Sequence, residues 1–326
     1  MVALFKDRSP AAVVWLFILS FIVHSHFIVD VPVVPAGRSD GLLSVFLSNY
    51  IAPLNPVIVI FIYHAFVIIQ ALRINYLFND HRMYSKNNFL AAMVYILLTG
   101  IFKEWGNLTP ALIENILVIW LFAKTIRLYN NPNPKTLLFN IGLLIGIGII
   151  LYHPSALLIL VAFFALTVVR PFVITEWVVL LMGVVFPYYF LASYLYLTDR
   201  LSTILLYIPN WGLNIPRTTI SPAFFVTVGL ILIILILGMV YSQQETRRLL
   251  IQVRKNWVVL TVMLLVMLPI PFINKGVGID SLLLWIVPAS PYMAKAFLGP
   301  KKNTLPNLMF WSLLVLALVK NWQVVP

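Results

Sequence analysis

The groups in this sequence able to carry chemistry are few: ten carboxylates, five histidines and 22 cations, with no cysteine to act as nucleophile, disulfide partner or thiolate ligand. Asp30 closes the first apolar run, and Asp40 follows in Gly37-Arg38-Ser39-Asp40-Gly41. Lys103 and Glu104 open the turn Lys103-Glu104-Trp105-Gly106-Asn107, and Glu114 lies inside the apolar run that comes next. A basic turn with Lys124, Arg127 and Lys135 then leads into a glycine-spaced run that stops at His153-Pro154. A carboxylate beside a hydroxyl is a general base, and cations hold phosphate; those are the reactions this set could support. Each acid also has a plainer reading. Asp30 reads as a solvated loop residue, Asp40 as a turn or helix cap before Leu42, and Lys103 with Glu104 as a solvated pair. Glu114 is buried too deep for that: it must be neutralised, face water or find a partner such as His64 or His153.

A metal is not expected. His24 and His26 lie two apart, so on a helix their rings point away from each other, and joining His64 and His153 to them needs three apolar runs to converge. No Walker motif, dinucleotide-binding glycine loop or Ser-His-Asp order occurs, and no cofactor is expected.

The elements that must position these groups are membrane helices. With 62% hydrophobic and 10% charged residues and a mean hydropathy of +0.99, the chain cannot cover its apolar surface in water. Its apolar runs, bounded by prolines, asparagines and charges, number about eleven: 11–30, 56–78, 88–103, 109–128, 136–153, 155–170, 175–197, 220–241, 257–273, 281–297 and 305–322. If the N-terminus is cytoplasmic, 16 Lys and Arg fall inside and 6 outside, so the positive-inside rule predicts an all-α polytopic transmembrane bundle, N-in and C-out. That placement also accounts for the net charge of +12 without nucleic acid as a partner. On this topology Asp30, Asp40, Glu104, Asp199 and Asp280 face the outside, with His24, His26, His64 and His153 near the same level. The outer connections at 42–50 and 202–208 alternate apolar and polar residues as interfacial helices do, and could roof a cavity open to the outer leaflet. Gly142 and Gly146 carry the spacing of closely packed membrane helices.

This order is similar to that of the C superfamily of integral-membrane glycosyltransferases: an acid ending the first span (Asp30), an outer loop with an interfacial helix and a second acid (Asp40), an acid between the third and fourth spans (Glu104), and a Thr109-Pro110-Ala111 entry. The stretch Asn88-Phe89-Leu90-Ala91-Ala92-Met93 to Leu97-Leu98-Thr99-Gly100, and Phe139-Asn140-Ile141-Gly142 into Tyr152-His153-Pro154-Ser155, resembles that superfamily's third-to-sixth-span pattern. Much of the chain also resembles an uncharacterised family of Bacteroidetes inner-membrane proteins. The broader resemblance covers residues 1–200 of a single membrane domain spanning 1–326, with 201–326 as added spans. It implies a multi-pass protein of the bacterial inner membrane that takes a sugar from a polyprenyl-phosphate donor at the outer leaflet. It implies Asp30 or Asp40 as base and Glu104 as second acid. Lys103, His153, Arg200 and Arg217 would contact the phosphate, with Glu114 beside the substrate. The competing expectation is non-enzymatic: a scaffold subunit of an envelope export or assembly complex, or a lipid or solute transporter. Convergence of Asp30, Asp40 and Glu104 favours the enzyme, scattered carboxylates the scaffold, and a pore lined by Glu114 the transporter.

Overall fold

A computed structural model describes residues 1–7, 9–35, 40–213, 222–246, 249–274, 277–300 and 302–322. Among them the chain is helical, with one isolated antiparallel bridge between Trp211 and Asn274. Eleven helices of ten residues or more carry the described fold. They are α1 (Pro10–Val23), α2 (Pro56–Asp80), α3 (Leu90–Thr99), α4 (Pro110–Ile126), α5 (Pro134–Leu151), α6 (Leu158–Val169), α7 (Ile174–Leu197), α8 (Pro222–Thr246), α9 (Ile251–Met267), α10 (Leu283–Leu298) and α11 (Thr304–Trp322). Seven segments are long and apolar enough to cross a membrane: Pro56–Asp80, Pro134–Leu151, Ile174–Leu197, Ala223–Glu245, Ile251–Ile273, Ile279–Leu298 and Thr304–Trp322.

The helices start where the sequence supplies a cap and a proline. Ser9, Asn55 and Thr109 each accept a backbone N–H two or three residues on, and each precedes a proline whose missing N–H costs nothing at the first helical position. The first helix is shorter than the run at 11–30. It ends at Val23, where the His24 N–H turns back to Ser20 O and a 3-10 turn, Ser25–Ile28, takes over. The run at 88–103 likewise yields only the ten-residue α3, every residue of which is buried.

The core sits around α3 and α10. Helix α3 packs against α1, α2, α10 and α11, while α10 also meets α4, α8 and α9. Between them a chain of amides and one phenol is hydrogen-bonded internally, with Asn115 Oδ1 unpartnered among the described residues. The Gln70 amide donates to Leu112 O (2.6 Å), Tyr95 OH donates to Gln70 Oε1 (2.6 Å), and Asn115 donates to Tyr95 OH (3.0 Å) and Leu283 O (3.1 Å). Buried polar groups at this depth have no water to turn to, so the network fixes how α2, α3, α4 and α10 meet.

Connections gather at two ends. At one, the His24 end, Leu108 N–H donates to Val33 O, Trp105 Nε1 to Ile279 O, His153 N–H to Asp40 O and Asn321 Nδ2 to Gly100 O. At the other, the Lys6 end, Phe89 N–H donates to Phe5 O, Lys6 Nζ to Asn303 Oδ1, and Arg170 to Leu128 O and Asn131 O.

Candidate functional site: a cavity at the His24 end

Asp40 and His153, 113 positions apart in sequence, are brought together by the junction of α5 with the segment before Leu42–Phe46. The His153 N–H donates to the Asp40 carbonyl at 2.7 Å. Gly41 makes that approach possible: its φ is +143°, and a Cβ there would stand 2.2 Å from Leu151 O. Asp40 is 4% exposed and accepts a hydrogen bond from Ser44 Oγ, one turn into the following helix. His153 is 5% exposed, and its Nε2 has no hydrogen-bond partner among the described residues.

Both residues line a cavity of about 330 Å³. Leu42 and Val45 form one wall, and Leu205, Leu206, Tyr207 and Ile208 close it from the other side. Tyr188 of α7 holds this roof by donating to Tyr207 O (3.2 Å), and Gly212 N–H ties the following strand-like segment to Ile273 O (2.9 Å). The roof helix Leu201–Tyr207 leaves Leu205 and Leu206 largely exposed, as does Leu42–Phe46 with Val45 and Phe46, so a few polar groups sit in a largely apolar lining. Asn210 and Asn274 also line the cavity. The sequence marks Asn274 only as a helix breaker; its buried Oδ1, unpartnered among the described residues, is a polar group that a ligand can satisfy.

Glu114 stands behind this site. Its Oε1 accepts from Ser155 Oγ at 2.8 Å, two residues beyond His153, and its Oε2 has no partner among the described residues. Neither expected histidine pairs with it. His64 instead shares a hydrogen bond with Ser20 Oγ (2.8 Å), inside a cluster where Tyr63 OH lies 3.1 Å from His24 Nε2 and donates to Trp105 O (2.9 Å). His24, His26 and His64 thus come close without forming a ligand set, and no group of acids and histidines with metal-binding geometry occurs among the described residues.

The remaining candidates lie elsewhere. Asp30 is paired with Lys103 at 2.6 Å, both about half exposed. Beside them in its 3-10 turn, His26 is held below its usual range by burial, which the Asp30 carboxylate opposes and Lys103 reinforces. Glu104 is exposed, and its charge reaches Lys320. Arg200 is exposed at the head of the roof helix, and Arg217 lies outside the described residues. Of the eight candidates, Asp40 and His153 line one cavity, with Glu114 linked to it through Ser155.

The fold and site define a polytopic α-helical membrane protein with a buried carboxylate and an imidazole facing a small cavity at one end. No family model, curated protein or solved structure matches the chain.

Proposed function

We propose that the chain crosses the bacterial inner membrane eleven times with its N-terminus in the cytoplasm, and that the cavity at the His24 end transfers a sugar from a polyprenyl phosphate to an acceptor hydroxyl. The observation that carries this reading is that buried Asp40 and His153 line one cavity walled by exposed apolar helices. The site supplies what the transfer needs. The Asp40 carboxylate takes the acceptor's hydroxyl proton as the acceptor oxygen bonds to the sugar's anomeric carbon. The bond from that carbon to phosphate oxygen breaks, and polyprenyl phosphate leaves with the electron pair. His153 Nε2 is the group of the lining available to the phosphate, and the exposed faces of Leu205, Leu206, Val45 and Phe46 suit a lipid tail. Asp30 and Glu104, outside this lining, serve the surface and not the reaction.

Lipid analysis of a deletion strain tests the reading. Accumulated polyprenyl-linked sugar, cleared by the wild-type chain and by Asp30→Asn but not by Asp40→Asn, is the expected result; removing a general base costs roughly 10²–10⁴-fold. Asp30, Asp40 and Glu104 do not converge, which is the arrangement expected of a scaffold, and the exposed Asp30–Lys103 pair and Glu104 support that second reading, in which a polar rim meets a protein partner. An unchanged lipid profile in the deletion strain would leave that one standing.

A further inference from the structure

At the Lys6 end, three cations from two helices face one groove. Arg73 of α2, and Lys124 and Arg127 at the end of α4, line a cavity of about 450 Å³ together with Asn140 of α5. Trp120, Leu143 and Leu144 complete the wall, and Trp120 is 47% exposed on the outer surface of the bundle. Among the described residues no carboxylate lines this cavity.

Arg73 is the informative residue. It lies two turns before the end of a 25-residue apolar helix, about 10 Å in at 1.5 Å per residue, where an unpaired guanidinium is expensive. Other deep cations of the fold have partners: Arg170 binds Glu176 and two carbonyls, and Lys295 binds Glu245. The side chains of Arg73, Lys124 and Arg127 form no ion pair and no hydrogen bond with any described residue. Asp80 lines the neighbouring cavity with Arg73 and Arg82 but forms no ion pair with either. Lys124 and Arg127 are favoured by the negative end of the α4 dipole, which explains their place on that helix and not their convergence with Arg73.

We infer that this groove binds an anionic phospholipid, its phosphate held between Arg73, Lys124 and Arg127 and its acyl chains lying along Trp120, Leu143 and Leu144. Charge complementarity selects the headgroup, since gathered cations without a counter-charge repel one another. The lipid-facing apolar wall selects a lipid over free phosphate.

The test uses the full chain, purified in a non-ionic detergent and titrated with phosphatidylglycerol, phosphatidylcholine or inorganic phosphate, with bound lipid read by native mass spectrometry and stability by thermal unfolding. Phosphatidylglycerol is expected to be retained at least tenfold more than phosphatidylcholine and to raise the unfolding temperature. Lys124→Gln with Arg127→Gln, at the water-exposed end of α4, should remove most of that preference, and Arg73→Gln should deepen the loss. Arg254→Gln, on α9, should leave it intact. Equal retention of both lipids by the wild type, equal retention of phosphatidylglycerol by wild type and double variant, or full stabilisation by inorganic phosphate alone would each overturn the inference. Because no sugar transfer is measured, the outcome is independent of the catalytic reading.

Discussion

Glu114 shows how much one side chain constrains its neighbours. Its carboxylate fits because position 148 is glycine: a Cβ there would stand 2.5 Å from Oε1, inside any real contact distance. Gly148→Ala must therefore displace either the carboxylate or α5, and overpacking of this kind costs about 1–3 kcal/mol. Glu114→Gln keeps the acceptor for Ser155, whereas Glu114→Ala strands a buried hydroxyl at a cost of about 1–3 kcal/mol. Thermal unfolding in detergent should accordingly rank Glu114→Gln near wild type and place Glu114→Ala and Gly148→Ala well below it; a Glu114→Ala protein as stable as wild type would show that Ser155 is satisfied some other way. The sequence made the depth of Glu114 plain but not its partner. The serine directly after His153-Pro154 carries no signal of its own, and of the two histidines expected as partners His64 is bonded to Ser20 while His153 turns its backbone N–H to Asp40 O.

At the scale of elements, the tightest contact is the parallel packing of α5 on α7. Gly142 on α5 meets Gly183 on α7, and Gly146 meets Val184 and Pro187, so closely that a Cβ at 142 would lie 2.2 Å from Leu180 O, and one at 183 would lie 2.4 Å from Phe139 O. The obstacle in both cases is backbone, which cannot rotate away, so the helices would have to part. With lipid outside, close van der Waals contact is what holds such pairs together. Gly183→Leu should lower the unfolding temperature and loosen the roof, because Tyr188, one turn further along α7, holds Tyr207. The measurable sign is faster proteolysis in the 201–208 segment, and protection equal to wild type would mean the roof is held without α7. This pair was legible from glycine spacing alone on the α5 side, and its partner was not, since Gly183 is a lone glycine in an apolar run. Helix ends were legible where Ser, Asn or Thr preceded proline, and misplaced where only hydropathy marked them. The first run continues apolar past His24, yet the buried His24–Ser20 hydrogen bond and the turn at Ser25–Ile28 end the helix early.

At the scale of the whole molecule, the proposed eleven-span topology requires a helix of ten residues to serve as a crossing. At 1.5 Å per residue α3 covers about 15 Å of a hydrocarbon core about 30 Å thick. It need not cover more, because the chain on either side, Phe89 before it and Gly100 to Phe102 after it, passes through protein and not lipid. Irregular backbone is tolerated at that depth when other helices enclose it, and α1, α2, α10 and α11 enclose this one. The two ends of α3 are bonded to opposite ends of the bundle: Phe89 N–H donates to Phe5 O, and Gly100 O accepts from Asn321. The absence of cysteine makes the consequence directly measurable, since any thiol introduced is the only one in the chain. Lys86→Cys and Lys302→Cys should react with a membrane-impermeant maleimide only after spheroplasts are lysed, while Glu104→Cys and Arg200→Cys should react on intact ones. The pair at 86 and 104 decides the matter, because only α3 separates them. Labelling of both from one side would remove α3 as a crossing and put the 16-to-6 distribution of basic residues out of register, and with it the placement of Asp40 and His153 at the outer leaflet.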